Sequence, residues 1–493
     1  MTQIKKFFYT YTFLSLCQGL TIITGIVGIS ILARFLGPHE YGRYNLFILS
    51  TQILMLLATT WVLNPAAAKF ASEEYLKTKS LKNTFSSELL IILINTIIVG
   101  IIFYFIHKKA AVFLGLENNF LIICIFIYSV VFALFGLLNF CFQGSLNFRT
   151  YGMMPFGRGI IFISLLLTGI VFKRIFSLNF VIASLVTSYL IAVIIFWPRL
   201  KKICPFTFDK KQIIEILSFS WPVIFFASGN FSLEWVDKYL INMLISTYAV
   251  GIYAAAWSLT TNFVLIPQLL YTIVMPIITA YRIEDKHNNI SFYLTKLVPQ
   301  LSLFFSLLIG LIIIFAKIFI PFLYGPKYTD SINIFIILSL SSLFMGIKYL
   351  YNPITTVFNF IRFTGSINLT TAFLSIGLNY LFIVKYGIIG AAFATAISSF
   401  ISCIGVAFII NKKFSLLNFR AIYCGIPVII IAGICMITRN IFFALSAMFV
   451  TSFFTYLLLK KYKLFYKTDV EYVEKIQMPF WLKSMVVKFY QTF

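Results

Sequence analysis

Long apolar runs constrain the fold of this chain more than any other feature of its sequence. Fourteen such runs, of about 20 residues or more, follow one another with only short polar segments between them. A helix needs ~20 apolar residues to cross the ~30 Å hydrocarbon core of a membrane. Only 11% of the 493 residues are charged, whereas about a quarter are charged in soluble domains. We therefore predict an all-α membrane protein with about fourteen transmembrane helices and no inserted soluble domain.

The basic excess is explained largely by membrane topology. The chain has 39 Lys and Arg against 15 Asp and Glu, a net charge of +24. With the N-terminus inside, 26 basic residues fall in cytoplasmic segments and 11 in outside loops. Positive residues favour the cytoplasmic side of a membrane protein. We therefore predict that both termini are cytoplasmic, and no soluble basic module remains that would bind nucleic acid.

An internal duplication organises the spans. Leu36–Tyr44 follows the first span as Leu244–Tyr253 follows the seventh, and Pro65 and Pro276 end the second and eighth. The offsets are close to 210 residues, so each repeat holds six spans and the two repeats share one orientation. We predict an N-terminal lobe at 1–200 with spans 1 to 6, a C-terminal lobe at 201–410 with spans 7 to 12, and two added spans at 411–460. The remaining residues, 461–493, are predicted to form a basic amphipathic cytoplasmic tail that lies on anionic lipid.

Several short motifs at the ends of spans resemble those of a known family. They are Ile31–Tyr44 (ILARFLGPHEYGRY), Asp237–Ile241 (DKYLI), Val250–Ala255 (VGIYAA), Leu323–Tyr328 (LYGPKY) and Tyr386–Ala392 (YGIIGAA). In order and placement they resemble polysaccharide flippases of the Wzx type, in the multidrug/oligosaccharidyl-lipid/polysaccharide exporter superfamily. The resemblance covers about residues 10–410.

The resemblance implies a function. Members of that family move an undecaprenyl-diphosphate-linked sugar repeat unit, such as an O-antigen unit, across the bacterial inner membrane by alternating access. The expected partners are this lipid-linked oligosaccharide, H⁺ or Na⁺ as coupling ion, and the polymerase and chain-length proteins that use the product. No cofactor and no metal are expected.

Charges kept inside spans are the candidates for substrate contact, because a charge at the bilayer centre costs at least ~2.5–3.5 kcal/mol. An anionic diphosphate would need fixed cationic donors, and we predict Lys348, Arg158, Arg34 and Lys238 for this role. The alternatives are local: Arg34 and Arg158 could reach the lipid headgroups instead.

We expect Glu234 and Asp237 to be the only acidic residues that lie within or against a span. No nucleotide-binding motif is present, so we expect one of them to couple ion movement to transport. A structural ion pair between Glu234 and Lys238, four residues apart on one helix face, is the alternative.

Other functions are weighed against these residues. An enzyme of the same pathway would need a catalytic centre, and the three histidines (His39, His107 and His287) are dispersed without a nucleophile or metal cluster. A multidrug exporter of the same superfamily would be expected to carry acidic cavity residues. A lipid II flippase also has fourteen spans and is the nearest alternative.

Overall fold

The chain is almost wholly helical where the computed structural model describes it. The described residues are 3–60, 68–114, 119–172, 176–201, 207, 209–221, 223–414, 419–438 and 440–461, and none of them forms a strand. The predicted tail at 461–493 therefore lies, apart from Lys461, outside the described residues. The helices are α1 (Gln3–Met55), α2 (Ala68–Thr78), α3 (Lys82–Leu114), α4 (Asn119–Gly144), α5 (Phe148–Val171), α6 (Leu178–Lys201), α7 (Lys210–Ser220), α8 (Val223–Leu244), α9 (Thr247–Ile283), α10 (His287–Phe292), α11 (Val298–Tyr324), α12 (Ser331–Val357), α13 (Ile361–Lys413), α14 (Arg420–Tyr423), α15 (Ile426–Ile437) and α16 (Ile441–Lys461).

Ten helices in the described part of the chain are long and apolar enough to cross a membrane. The prediction of an all-α membrane protein is confirmed. Two of the ten, Thr12–Thr59 and Phe363–Lys413, each cover two of the runs predicted from the sequence. α8 overlaps the run predicted at 215–237, and the shorter apolar helix at Phe442–Leu457 lies within the run predicted at 441–459. The total of fourteen remains a prediction.

Both double-length helices bend at a glycine. Gly37 in α1 has φ 72° and ψ 170°, and Gly387 in α13 has φ 62° and ψ −144°. Residues with a Cβ atom rarely adopt a positive φ, whereas glycine does so readily. A glycine at this position therefore lets the chain end one span and begin the next without a loop. Pro38, directly after Gly37, has the fixed φ that suits a first helical position.

The described part of the chain forms two compact units. One comprises Met1–Ser258, Pro321–Ser331 and Ser375–Ala391, and in it α1 packs on α5 and α4 on α6. The other comprises Leu259–Ile320, Ile332–Leu374 and Ala392–Phe493. Its α15 and α16 pack on each other. The four segments predicted from the sequence remain a prediction.

Side-chain burial follows the rules of a protein in lipid. Past its first turns α3 exposes large apolar side chains, such as Ile94, Ile98 and Phe105, while Ile91, nearer the start of the helix, is buried. Several buried serines donate to carbonyl groups one turn earlier, as Ser302 does to Val298. The hydroxyl is thereby satisfied inside the helix, and small residues let neighbouring helices approach closely.

Candidate functional site

The repeated motifs meet at one helix crossing in the first unit. A methyl group placed on Gly42 would overlap the carbonyl oxygen of Thr247 and lie 3.1 Å from the nitrogen of Gly251. A methyl group on Gly251 would overlap the carbonyl oxygen of Pro38 and lie 3.1 Å from the nitrogen of Gly42. Each residue of one contact lies 209 positions from its counterpart in the other. The contact is therefore reciprocal, and a local two-fold relation between the predicted repeats would produce such a contact.

Tyrosines extend this crossing. The Tyr328 hydroxyl donates to the carbonyl oxygen of Ala33 at 3.0 Å, and its ring meets that of Tyr41 at 6.3 Å. The Tyr324 ring lies 5.6 Å from that of Tyr328. The motif at Leu323–Tyr328, distant in sequence, thus packs on the first motif. These motif residues pack helices against one another.

Arg34 stands at the edge of this region. Its side chain is exposed, and its Cγ lies near Gly325. No carboxylate among the described residues pairs with Arg34. The neighbouring Glu40 pairs with Arg43 instead, at 3.4 Å. Arg34 is therefore a cation open to a ligand or to a headgroup.

Asp237 and Lys238 form an enclosed pair near the end of α8. The exposed fractions of the two residues are 2% and 1%. Asp237 accepts from the Tyr253 hydroxyl at 2.5 Å and from the Lys238 backbone N–H at 2.7 Å. The Lys238 ammonium lies 3.8 Å from the Asp237 carboxylate and donates to the backbone carbonyl of Glu234 at 2.6 Å.

Two aromatic rings complete the enclosure of Lys238. Its Nζ lies 4.5 Å from the ring centroid of Trp235 and 4.3 Å from that of Trp257. A cation over an aromatic face is stabilised by the ring quadrupole. The Glu234 side chain, in contrast, is exposed. The partner of Lys238 is thus the Asp237 carboxylate and the Glu234 backbone rather than the Glu234 carboxylate.

Arg158 lies on α5 above an aromatic cluster. Its guanidinium carbon is 4.7 Å from the ring centroid of Tyr189. That ring contacts Tyr128 at 5.4 Å and Phe132 at 5.1 Å. α5 is pressed against α1 here, because a methyl group on Gly159 would come too close to the Thr24 side chain. The described part of the chain places no carboxylate within ion-pair distance of Arg158.

Lys348 lies in α12, within the second unit, and is held by neutral groups. Its ammonium donates to the Asn368 side-chain oxygen at 2.6 Å and to the Ser402 hydroxyl at 2.7 Å. Both partners lie on α13. No carboxylate among the described residues pairs with it. An ammonium has three N–H donors, and two of them are used.

The structure groups some of the predicted residues and not others. It joins Asp237, Lys238 and the backbone of Glu234 in one cluster, without a contact to Arg158 or Arg34. Sequence reasoning missed Asn368 and Ser402, which carry no signal because polar side chains of their type are common in these spans. Within the described ranges, no group of three His, Cys, Asp or Glu residues has the arrangement of a metal site.

Glu88 was also missed, although the sequence carried a signal for it. The expectation that only Glu234 and Asp237 lie within or against a span is wrong, because Glu88 lies inside the candidate span Lys82–Phe105. It is fully buried, and neither of its carboxyl oxygens has a hydrogen-bond partner among the described residues.

Comparisons with known proteins find a matching family and two related sequences. Residues 10–282 match the family described as polysaccharide biosynthesis protein. Two relatives come from Haloferax volcanii. The probable low-salt glycan biosynthesis flippase Agl15 is 22% identical over 45% of this chain and 48% of its own length. The probable flippase AglR is 29% identical over 34% of this chain and 36% of its own length. The chain thus spans about half or less of the length of these relatives.

Solved structures share the fold over much greater lengths. The lipid II flippase MurJ in an inward closed conformation has a TM-score of 0.65 at 16% identity, covering 91% of this chain and 97% of that one. An inward-facing multidrug transporter of the MATE family, in the MOP superfamily, has a TM-score of 0.60 at 12% identity, covering 82% and 94%. At these identities the likeness establishes the fold.

Proposed function

The chain belongs to the polysaccharide biosynthesis protein family, and from this membership we propose that it is a flippase for a lipid-linked oligosaccharide. Two relatives are named as probable flippases, and the fold is that of exporters in the MOP superfamily. The role is transport rather than catalysis. The substrate would be an undecaprenyl-diphosphate-linked repeat unit of a surface polysaccharide such as O-antigen, moved across the bacterial inner membrane by alternating access.

Lys348 is the observation that carries this proposal. The Lys348 ammonium is held by an amide oxygen and a hydroxyl, neither of which carries a counter-charge, and one of its three N–H donors is unused. A diphosphate needs such donors to replace water. At an effective dielectric constant of ~20, unit charges ~4 Å apart attract by ~4 kcal/mol. Asn368 and Ser402 fix the position of the ammonium without neutralising it.

Arg158 provides a second site of the same character. It lies over the Tyr189 ring, which positions the guanidinium without supplying a counter-charge. A planar guanidinium can bind phosphate with two N–H groups, and aromatic faces suit sugar rings. Arg34 is a third candidate, since its side chain is exposed. We assign Lys238 a structural role instead, because Asp237 and two tryptophan rings enclose its ammonium.

Ion coupling by H⁺ or Na⁺ is part of the proposal. Glu234 is the better of the two carriers predicted on α8, since its side chain is exposed whereas Asp237 is engaged by Lys238 and Tyr253. The proposed orientation has both termini in the cytoplasm, following the distribution of 26 basic residues inside and 11 outside.

The test is complementation of a deletion strain. We expect loss of surface polysaccharide on deletion, measured by gel electrophoresis of the polysaccharide, and recovery with the wild-type gene. Lys348→Ala should reduce the export rate by about ten- to a hundredfold, because a hydrogen bond to a charged group contributes about 1.5–3 kcal/mol. Lys348→Arg should restore part of it.

A matched control is Lys317→Ala. Lys317 also lies in the second unit and donates to a backbone carbonyl, that of Thr438, at 2.5 Å. It should complement like wild type when expressed to the same level. Full complementation by Lys348→Ala would contradict the substrate-binding role. Cell lysis with accumulation of lipid II on deletion would instead identify a lipid II flippase.

A further inference from the structure

The first two turns of α3 are enclosed by the preceding helix α2 and by two segments that are distant in sequence, α7 and Thr207. The Glu74 carboxylate on α2 accepts from the backbone N–H groups of Asn83 and Thr84 at 3.0 and 2.8 Å. The Gln212 side chain on α7 donates to the Thr84 hydroxyl at 2.8 Å. The Thr207 N–H donates to the Ser86 hydroxyl at 3.0 Å. α2 and α7 are thus tied to the same end of α3.

An apolar contact lies one turn further along. Ile91 of α3 packs with Phe70 of α2 and Ile216 of α7, and all three are buried. On α7, Gln212 and Ile216 are one turn apart. On α3, Glu88 lies one turn after Thr84 and one turn before Ile91. Glu88 therefore lies between the polar tie and the apolar contact, on the face of α3 that α7 covers.

Glu88 has no partner in this enclosure. The exposed fraction of its side chain is 0%, and neither carboxyl oxygen accepts or donates a hydrogen bond within the described part of the chain. The neighbouring Ser87 hydroxyl is likewise buried without a partner there. An ionised carboxylate in such a place is strongly unfavourable, and a buried acid of this kind takes a proton instead.

The charged and titratable groups on the surrounding elements do not offset this burial. Among residues whose side chains the structure describes, they are Glu73, Glu74, Tyr75 and Lys77 on α2, Cys124, Tyr128 and Cys141 on α4, Lys210, Lys211 and Glu215 on α7, and His39, Glu40, Tyr41, Arg43 and Tyr44 on α1 after its bend. Among the described residues, no basic nitrogen lies within 4.0 Å of the Glu88 carboxyl group.

We propose that Glu88 is a proton-binding site that controls whether α7 packs on α3. With the carboxyl group protonated, α7 covers it and the Thr84–Gln212 hydrogen bond forms. Release breaks the O–H bond, passes the proton to a water molecule, and leaves the electron pair on the carboxylate. The carboxylate then requires water, and α7 must move away to admit it.

The position of α7 links this proton-binding site to the second repeat. α7 follows the connection between the two repeats and leads into α8, which carries Glu234 and the Asp237–Lys238 pair. This last step rests on the proposed flippase function: a proton bound at Glu88 would bias the helix that begins the second repeat. A proton fits better than a metal cation, because a cation needs several oxygen ligands and the described helix backbone around Glu88 is already hydrogen bonded.

Hydrogen exchange of the purified full-length protein in detergent tests the proton site without any substrate. We measure protection factors of α7 amides, which divide out the intrinsic effect of pH on exchange, from mildly acidic to mildly alkaline pH. In the wild type we expect protection of α7 to fall by at least about tenfold as pH rises, which corresponds to ~1.4 kcal/mol. Glu88→Gln and Glu88→Met should keep α7 protected throughout.

Glu215→Gln is the matched control, because Glu215 is an exposed carboxylate on α7 itself. It should retain the pH dependence of the wild type, and α12 protection should report an intact fold in every variant. Constant α7 protection in the wild type would overturn the proposal. So would a pH dependence that survives in both Glu88 variants, loss of α7 protection in both at every pH, or a response to Na⁺ at constant pH. Since no substrate is present, failure of the flippase assignment would leave this result unaffected.

Discussion

Alanine at either glycine of the repeat crossing should force the two helices apart. At Gly42 the added methyl group would meet the backbone of Thr247 and Gly251, and backbone atoms cannot rotate away as a flexible side chain can. Contacts of a methyl carbon shorter than 3.0 Å essentially never occur, and ordinary contacts begin at 3.4 Å, so the crossing would have to open by roughly 1 Å or more. Overpacking of this kind costs about 1–3 kcal/mol.

The control for this substitution lies on the same helix. Gly25→Ala in α1 adds a methyl group with no atom within 4 Å. Glycine to alanine in a helix gains up to ~1 kcal/mol of intrinsic propensity. That gain applies to Gly25→Ala and to Gly42→Ala alike, so the difference between their unfolding temperatures isolates the overpacking at the crossing.

A thiol-reactive dye provides the assay, because the six described cysteines are free and buried and react only on unfolding. We expect Gly42→Ala and Gly251→Ala to unfold at a lower temperature than Gly25→Ala. The double variant should unfold close to the weaker single one, since one opened crossing accommodates both methyl groups and contacting sites are not additive. Unfolding of Gly42→Ala at the temperature of Gly25→Ala, or full additivity, would refute the geometry.

Three further variants test other parts of the structure. Asp237→Ala should lower the free energy of unfolding by about 3–5 kcal/mol, because it leaves the buried Lys238 ammonium without its carboxylate. The double variant Asp237→Leu with Lys238→Met should lose far less stability. Thermal unfolding compares the two, and an equal loss of stability would contradict the pairing. Gly387→Ala should cost about 1–3 kcal/mol through its positive φ, and an unchanged unfolding temperature would argue against the bend. Arg158→Met should reduce surface polysaccharide at normal expression while Arg158→Lys keeps part of it, and normal export by Arg158→Met would remove this residue from the substrate path.

The helices could be predicted from the sequence because lipid permits so few structures. Apolar runs of spanning length must be helical, since every backbone group needs a partner inside the segment. The pairing of Gly42 with Gly251 was not predicted, although the repeat offset agrees with it, because a two-fold relation brings equivalent positions together. Hydropathy predicts one seventh span at 215–237, but the chain instead forms α7 and α8, because hydropathy does not mark the break between two helices.

The candidate site was harder to predict because its geometry depends on residues distant in sequence. Lys348 was identifiable as an isolated charge, yet its partners Asn368 and Ser402 became evident only from helix packing. Lys238 was expected to face substrate, and only the positions of Trp235 and Trp257 show that it is enclosed. Glu88 was overlooked because it lies close to the polar start of its span, where an acidic residue usually remains in water.

Translocation in proteoliposomes tests the central claim most directly. The probe is a fluorescent disaccharide linked through diphosphate to undecaprenol, incorporated into both leaflets, and the readout is the fraction that a membrane-impermeant quencher reaches over time. The wild-type protein and Lys317→Ala should make nearly all of the probe accessible, while Lys348→Ala should slow this by about tenfold or more. A wild-type rate equal to that of protein-free vesicles would contradict the assignment of this chain as a flippase for lipid-linked oligosaccharides.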